Sequence, residues 1–364
     1  MKIQEIIHHL EQFAPLMYQE PYDNSGLLVG DRNTDITGVL LCLDCTEKIV
    51  EETMGCGCNL IIAHHPIIFS GLKKLTGSDY VQRTVIKAIQ NNIAIYACHT
   101  NLDNVYAGVN LKISQKLELK NTRILSVKNN TLNKLVTFVP LSHLHEVQKA
   151  LFAAGAGHIG NYDSCGFTVK GTGTFKGNSS SQPFTGKPNE LSEVDEIRLE
   201  TVFEPSVELE VVNALKKSHP YEEVAYDILP LNNSNPGIGS GMAGVLENET
   251  GEDDFILRVK KVFGSKVIRH TAKTGKKIKS VAVCGGSGRF LLPKAIEQRA
   301  DVFITSDFKY HDFFDVDGKL LLLDIGHYES EQFTVEIFYD LILKKNPTFA
   351  VHLSKINTNP INWF

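Results

Sequence analysis

The sequence predicts an α/β protein, in which a split α/β core with a largely parallel sheet is interrupted by a ferredoxin-like α+β insert. Two observations predict the core. Six short apolar runs recur, and because none alternates apolar with polar residues, each is typical of a strand buried on both faces. Amphipathic stretches of helical length separate several of them, which favours parallel strands. The runs are residues 38–43, 59–63, 93–98, 279–284, 301–305 and 319–325.

The middle of the chain carries a different pattern, which predicts the insert. Residues 133–177 and 193–231 each give strand, helix and strand, and two such units in succession are the ferredoxin-like order. A polar linker rich in Gly, Ser and Pro joins them. We therefore predict a first core segment at 1–126, an inserted domain at 127–235 and a second core segment at 236–364.

Composition and charge argue against several classes of protein. A net charge of −5 argues against non-specific binding to DNA or RNA phosphates. No apolar run reaches about 18 residues, so no membrane span is predicted. The first 15 residues have the apolar spacing of an amphipathic helix and lack the apolar core of a signal peptide. Seven cysteines, an odd number and mostly in apolar runs, indicate reduced thiols and a cytoplasmic protein.

Histidines and carboxylates follow the predicted strands where each strand ends. Ligands of open α/β sheets bind outside the carboxyl ends of the strands, so parallel strands would bring these side chains to one edge. The alternative is that polar residues simply begin loops, which explains their polarity but less well why most are His, Asp and Glu. The residues are Asp44, His64, His65, His99, Asp103, Asp307, His311, His327 and Glu331.

Five of these residues form the predicted metal site: His64, His65, Asp103, His327 and Glu331. One ion needs only three or four protein ligands, whereas five ligands that include a glutamate fit two ions sharing a carboxylate. We expect Glu331 to bridge the ions. In this hypothesis His65 and Asp103 complete one ion, and His64 and His327 complete the other.

Each ligand also has a simpler interpretation. A lone histidine at a strand end is more often a satisfied polar group than a ligand. The spacing of His327 and Glu331 is common on helices, and Asp103 can stabilise a turn. The combination of all five residues is what favours metal.

Five motifs in order resemble the Nif-three-like dinuclear-metal family, whose members often carry the name GTP cyclohydrolase I type 2. They are PYDNSGLLVG (21–30), AHHPIIF (63–69), HTNLDN (99–104), TSDFKYHD (305–312) and GHYESEQ (326–332). The resemblance implies that the five ligands named above hold the metal. It also implies an insert similar to the CutA and P-II proteins, and a toroidal homohexamer with metal sites facing an internal cavity.

Further residues suggest how such a site would react. His99 and His311 can move a proton, because imidazole is suited to acid–base chemistry, or they can orient a ligand. Asp44 and Asp307 can support the ligands or contact substrate. The run Gly285-Gly286-Ser287-Gly288 lies between a strand and a helix, where its N–H groups would suit an anion, although a tight turn is the alternative.

The leading hypothesis is therefore a metal-dependent hydrolase of the GTP cyclohydrolase type 2 kind, acting on a nucleotide-like substrate with metal-activated water. Zinc is expected first, with iron or manganese as alternatives, because His and carboxylate ligands suit all three. A second class is a non-enzymatic metal-binding or regulatory ring protein whose insert is a sensor or assembly element. A third class is a ring protein that binds DNA or another protein, and the negative net charge argues against DNA.

Overall fold

The computed structural model describes residues 1–364, which divide into two compact units. The first unit combines Met1–Val127 with Pro236–Phe364, and the second is the continuous stretch Lys128–Asn235. The predicted α/β class is confirmed by helices and mixed sheets. The seven cysteines form no disulfide, and none of the helices has the length and apolar character needed to cross a membrane.

The first part of the first unit begins with the predicted amphipathic helix. Ile3, Ile6, Ile7 and Leu10 repeat at helical spacing, so one face of this helix is buried in the core. The elements are α1 (Ile3–Phe13), β1 (Gly26–Val29), β2 (Val39–Cys42), α2 (Glu47–Gly55), β3 (Leu60–Ala63), α3 (Tyr80–Gln90), β4 (Ala94–Ala97), α4 (Thr100–Asp103), α5 (Val109–Lys116) and β5 (Lys120–Val127).

The second unit is a four-stranded antiparallel sheet with two helices. The strand order is β7-β8-β6-β9, and both helices contribute to its apolar core. Its assignment as an inserted domain similar to CutA and P-II proteins stays a prediction. The elements are β6 (Asn133–Pro140), α6 (Leu144–Ala153), β7 (Gly166–Phe175), β8 (Ser192–Phe203), α7 (Glu208–Ser218) and β9 (Tyr226–Pro230).

The last part of the chain completes the first unit. Its buried strands occupy the apolar runs seen in the sequence, within one to three residues at each end. The elements are β10 (Gly239–Thr250), α8 (Glu252–Phe263), β11 (Arg269–His270), β12 (Ile278–Ser287), α9 (Leu292–Glu297), β13 (Val302–Ser306), β14 (Leu321–Asp324), α10 (His327–Glu331), α11 (Thr334–Lys345) and β15 (Val351–Leu353).

The first unit contains two sheets that share one core. The first sheet has the order β1-β4-β3-β2-β15, and only β1 is antiparallel to its neighbour. The second has the order β11-β14-β13-β12-β10-β5, in which β12, β13 and β14 are parallel. Side chains of both sheets, such as Ile62 and Ile304, belong to the same apolar cluster. The predicted parallel strands are thus divided between two sheets, and the carboxyl ends of both supply the site described next.

Candidate metal centre

The first sheet supplies two adjacent histidines at the end of β3. His64 and His65 directly follow Ala63, the last residue of that strand. His64 is completely buried, and its Nδ1 lies 2.9 Å from the carbonyl oxygen of Cys98. Since a carbonyl oxygen only accepts, Nδ1 carries the hydrogen. The Nε2 of His64 therefore offers its lone pair to the side chains that face it.

His65 is held between two carboxylates. Its Nδ1 lies 2.7 Å from Oδ1 of Asp44, which follows β2, and its Nε2 lies 2.9 Å from Oε2 of Glu331. Asp44 thus contacts a predicted ligand, and supporting that ligand was one of the two roles considered for it from the sequence. A carboxylate on Nδ1 fixes the ring orientation and leaves Nε2 as the ligand atom.

The second sheet supplies the other half of the cluster through the short helix α10. His327 begins this helix, and its Nδ1 lies 2.6 Å from Oδ2 of Asp307, which follows β13. Glu331 ends the helix and is buried. Its Oε2 lies 3.0 Å from Nε2 of His327, and the Nε2 atoms of His327 and His65 are 3.3 Å apart. Asp307 therefore orients His327, as Asp44 orients His65.

Asp103, the last residue of α4, completes the set of five predicted ligands. Its Oδ1 lies 3.7 Å from Nε2 of His64, which in turn lies 3.8 Å from Oε1 of Glu331. We call His64, Asp103 and Glu331 Oε1 the inner group. His65, His327 and Glu331 Oε2 are the outer group. Within each group the ligand atoms lie within 4.8 Å of one another, so each can hold a metal ion.

This grouping corrects the partition expected from the sequence. That hypothesis paired His65 with Asp103 and His64 with His327, whereas in the structure His64 lies with Asp103 and His65 with His327, and a third set joins His64, His65 and His99. The reason is that His64 and Asp103 follow neighbouring strands of the first sheet, β3 and β4, and their ligand atoms lie 3.7 Å apart. His65 faces α10 of the second sheet instead. Glu331 is the residue common to both groups, and its role as a bridge between two ions stays a prediction.

Two buried polar atoms without hydrogen-bond partners indicate that these residues are suited to binding metal ions. Nε2 of His64 and Oδ1 of Asp103 are buried and have no hydrogen-bond partner. Buried polar atoms are almost always paired, because desolvating them without a partner costs free energy. A cation between these two atoms would satisfy both. The set of imidazole nitrogens and carboxylate oxygens suits zinc, iron or manganese.

Without metal, protons occupy the cluster. Burial lowers the pKa of His65, but its hydrogen bonds to Asp44 and Glu331 outweigh burial and raise it to about 9. Burial also lowers the pKa of His327, but the charge of Glu331 and the hydrogen bond to Asp307 raise it to about 11. Burial, and then the charge of Glu331, raise the pKa of Asp103 to about 7. When no metal is bound, the protonated side chains of His65 and His327 therefore supply positive charge that offsets the carboxylates.

The Gly285–Gly288 run does not provide the predicted anion site. It forms the end of β12 and the turn after it, and no long helix follows. Three of its four amides already donate to side-chain oxygens within the protein, so they are not available to a ligand. The pairs are Gly285 to Asn110, Gly286 to Ser330 and Gly288 to Thr305, at 3.0, 2.9 and 2.9 Å.

The glycines have a different purpose, which is to make room for the ligands. Gly286 has a positive φ of 61°, and a Cβ there would overlap Oε1 of Glu331. A Cβ at Gly285 would collide with Val109 and touch the Glu331 side chain. The backbone of β12 thus packs directly against the shared carboxylate and fixes its position.

His99 lies beside the cluster and is oriented by a residue that the sequence analysis missed. Nδ1 of His99 lies 2.8 Å from Oδ1 of Asp23, whose side chain is fully buried. The other carboxylate oxygen of Asp23 accepts from the backbone and hydroxyl of Thr100. Burial opposes the charge of Asp23, but these hydrogen bonds outweigh it and hold its pKa well below the usual value. Asp23 lies within the first resemblance motif, which was the available signal.

His311, the other predicted proton carrier, lies elsewhere. It is exposed in the helical segment Tyr310–Val316, and its ring packs against Tyr310 and Phe314. It does not line the cavity beside the cluster. Of the three residues considered for catalysis, the structure therefore brings His99 to the cavity, places Asp307 behind His327 and leaves His311 outside.

A cavity of about 480 Å³ opens onto the cluster. It exposes His65, Asp103, His327 and Glu331 together with His99. Four aromatic side chains contribute to the lining, and Tyr22 and Phe69 pack with ring centroids 6.4 Å apart. This volume is within the range of small-molecule sites. The aromatic lining residues are Tyr22, Phe69, Phe290 and Tyr328.

Fold and site together define an α/β protein with a buried histidine–carboxylate cluster, assembled from two sheets and able to hold metal. The sequence profile of the Duf34/NIF3 (NGG1p interacting factor 3) family matches residues 1–360. The chain belongs to this family, and the resemblance noted from the motifs is confirmed.

Curated relatives and solved structures agree with this assignment. The chain is 39% identical over 365 residues to a Bacillus subtilis protein named GTP cyclohydrolase 1 type 2 homolog, covering 99% of this chain and 98% of the relative. It is 38% identical over 366 residues to a protein of the same name from Halalkalibacterium halodurans, with the same coverage. A Bacillus cereus protein related to NIF3 has a similar structure, with a TM-score of 0.87, 36% identity and coverage of 100% and 99%.

Proposed function

We propose that this protein binds two divalent metal ions per subunit and is a metal-dependent hydrolase of the GTP cyclohydrolase type 2 kind. The observation that carries the proposal is Glu331, whose two oxygens belong to two separate ligand groups. A carboxylate shared in this way is suited to holding two ions close together. The inner group would hold one ion and the outer group the other, with zinc expected first.

When bound, a pair of divalent ions lowers the pKa of a water molecule and polarises a carbonyl or phosphoryl oxygen. The protein's own residues prepare that chemistry. Asp44 and Asp307 hold the Nδ1 hydrogens of His65 and His327, so that both Nε2 atoms face the cluster. The packing of β12 against Glu331 prevents the shared carboxylate from turning away.

His99 is the residue best placed to move a proton. Asp23 accepts its Nδ1 hydrogen, which leaves Nε2 free to act as a base toward the cavity. A buried carboxylate behind a histidine also stabilises the imidazolium that forms once the proton is taken. In this proposal His99 takes a proton from the attacking water and returns it to the leaving group.

A nucleotide-like substrate is consistent with the cavity. Tyr22, Phe69 and Phe290 line the same cavity as the cluster. A planar base could pack against the rings while a polar group approaches the cluster. The curated relatives carry a GTP cyclohydrolase name as homologues, which supports the same substrate class.

The test combines metal analysis with turnover. Protein purified without chelator should contain two divalent ions per chain. It should hydrolyse GTP or another member of a nucleotide and phosphodiester panel after loading with Zn, Mn, Fe or Mg. His99→Ala should lose about 10²-fold or more in kcat, because it removes a general base, and its metal content must be measured alongside, since the ligand atoms of His99, His64 and His65 also lie close enough to share an ion. His311→Ala, an exposed histidine outside the cavity, is the matched control and should match the wild type.

The same measurements separate the enzyme from the alternative function. Two bound ions with no turnover across the panel would favour a metal-binding or regulatory protein, in which the second unit is a sensor or assembly element. Retention of both ions by a His65→Ala/Glu331→Gln variant would refute the dinuclear site itself.

We also propose the toroidal homohexamer implied by the family resemblance, located in the cytoplasm. Light scattering of the purified full-length chain tests the assembly. Six chains per particle is the expected result, and a monomer or dimer would refute it.

A further inference from the structure

Residues 354–361, which we call the C-terminal clasp, follow β15 and run beside the metal centre. The backbone of Ser354 donates to the carbonyl of Leu41 in β2 at 2.9 Å, which continues the pairing of β15 with that strand. The hydroxyl of Ser354 and the backbone of Lys355 then donate to the two carboxylate oxygens of Glu52 in α2, at 2.6 and 2.8 Å. The start of the clasp is thus anchored to the first sheet.

Farther along, Thr358 contacts the residue that orients an outer ligand. Its Oγ1 donates to Oδ2 of Asp44 at 2.6 Å. The other oxygen of Asp44 accepts from Nδ1 of His65 at 2.7 Å. A continuous chain of hydrogen bonds therefore leads from Thr358 through Asp44 to His65. With both oxygens engaged, the carboxylate of Asp44 has one defined orientation.

Asn359, the next residue of the clasp, contacts α10, the helix that follows β14 of the second sheet. Nδ2 of Asn359 donates to Oε1 of Glu329 at 3.1 Å. Glu329 lies on α10 between His327 and Glu331. Asn359, Pro360 and Ile361 also line the cavity beside the cluster. One short segment thus contacts the loop that supports His65 and the helix that carries His327.

We propose that the clasp positions the outer group, and that Thr358 is a positioning residue for the outer ion. The inference rests on the proposed metal binding but not on hydrolysis. No hydrogen bond joins the clasp to His64 or Asp103 of the inner group, and the Nδ1 of His64 is instead held by the backbone carbonyl of Cys98. The clasp should therefore affect one of the two ions and leave the other unchanged.

The experiment measures Zn²⁺ affinity by competition with a chromophoric chelator, using the full-length metal-free protein. Thr358→Val keeps the shape of the side chain and removes the donor. We expect the weaker-bound ion to lose about tenfold in affinity, the lower end of the effect of removing a group that orients a metal ligand, while the other ion is unchanged. Thr358→Ser should restore the affinity. Lys355→Ala, an exposed side chain of the same segment, is the matched control.

A double variant tests whether Thr358 acts through Asp44. Asp44→Ala alone should weaken the outer ion by about 10- to 100-fold, and adding Thr358→Val should then cost nothing more, because the two residues form one pathway. Unchanged affinity in Thr358→Val, equal weakening of both ions, or a further tenfold loss in the double variant would each overturn the inference. A wild-type chain that binds no zinc would instead refute the proposed metal binding itself.

Discussion

The inner and outer groups differ in what they do when metal is absent. His64 is entirely buried, and neither its Nε2 nor Oδ1 of Asp103 has a hydrogen-bond partner. His65 and His327 are 21% and 37% exposed, and each is hydrogen-bonded on both nitrogens. The nitrogens of the outer group are therefore hydrogen-bonded without metal, whereas a cation would satisfy two atoms of the inner group that have no partner. We expect a tightly held inner ion and an exchangeable outer ion that faces the cavity.

The largest effect is expected from a substitution that weakens the binding of both the inner and the outer ion. Glu331→Gln takes away the negative charge that both groups share, so both ions should be lost. The affinity of each should fall by more than the about 10- to 100-fold that follows loss of a group that only orients a ligand. Elemental analysis after dialysis measures this. Asp340→Asn on the next helix, α11, removes an exposed carboxylate as the control and should retain both ions. One tightly bound ion in Glu331→Gln would contradict the sharing.

The next largest effect is expected from a substitution beside Oε1 of Glu331, the carboxylate oxygen of the inner group. Gly286→Ala would place a Cβ against Oε1 of Glu331, so the inner ion should be lost first. Gly264→Ala is the matched control, because it has nearly the same φ, 64° against 61°, and nothing within 4 Å of the added Cβ.

Chemical denaturation of the two metal-free variants separates backbone strain from the collision. Both should lose about 1–2 kcal/mol in free energy of unfolding from the positive φ. Gly286→Ala should lose about 1–3 kcal/mol more from overpacking. Equal losses, or an intact inner ion, would show that Glu331 moves aside freely.

Exchange kinetics should separate the two ions. A chelator should remove zinc in two phases, with the exposed outer ion leaving first. A tenfold separation requires only about 1.4 kcal/mol between the barriers. Asp103→Asn should abolish the slow phase, and His65→Ala should abolish the fast one. Loss of the same phase in both variants would show that the two groups are not independent.

The smallest expected effect is a difference between the two ions in how strongly their affinity depends on pH. In the metal-free protein the pKa values of His65 and His327 are raised from 6.5 to about 9 and about 11, so an outer ion must displace protons at neutral pH. Its affinity should rise with pH by about tenfold per unit for each displaced proton. Asp103, with a pKa of about 7, is already deprotonated above that pH, so the inner ion should change less between pH 7.5 and 8.5.

The free energy of unfolding of the metal-free protein should fall as pH rises, whereas the affinity for the outer ion should rise. Raised histidine pKa values stabilise the fold fully below the unfolded value of 6.5, and this contribution is lost as pH rises through about 9 for His65. Zinc titration calorimetry and thermal unfolding across this range measure both trends. A steeper pH dependence for the inner ion would contradict the assignment.

The sequence could predict the members of the cluster because strand ends can be recognised locally. Buried parallel strands end at a common edge, so the residues after β3 and β14 were expected to meet. The sequence could not predict how the ligands divide into groups. That depends on how two sheets face each other, and apolar strands such as 60–63 and 302–305 look alike whichever sheet they join.

Two other misjudgements have definite physical causes. Asp23 lies in a loop before the antiparallel strand β1, so the argument from parallel strand ends does not apply to it, and it meets His99 only through the tertiary fold. The glycine run suggested free amides, but the side chains that occupy those amides, such as Asn110, lie far away in the sequence. Sequence shows which groups are able to donate, and only the fold shows which are already used.

The position of β15 has a consequence for how the chain is made. Four strands of the first sheet lie within residues 26–97, but the strand that covers the outer side of β2 comes from residues 351–353. At synthesis rates of about 5–20 residues per second, β2 waits roughly 15–60 s on the ribosome for its neighbour. During that interval Val39–Cys42 is an apolar strand with an open edge, the kind that pairs with other chains. The newborn protein should therefore depend on chaperones until residues 351–353 emerge, and the clasp that follows them can contact the metal centre only after that.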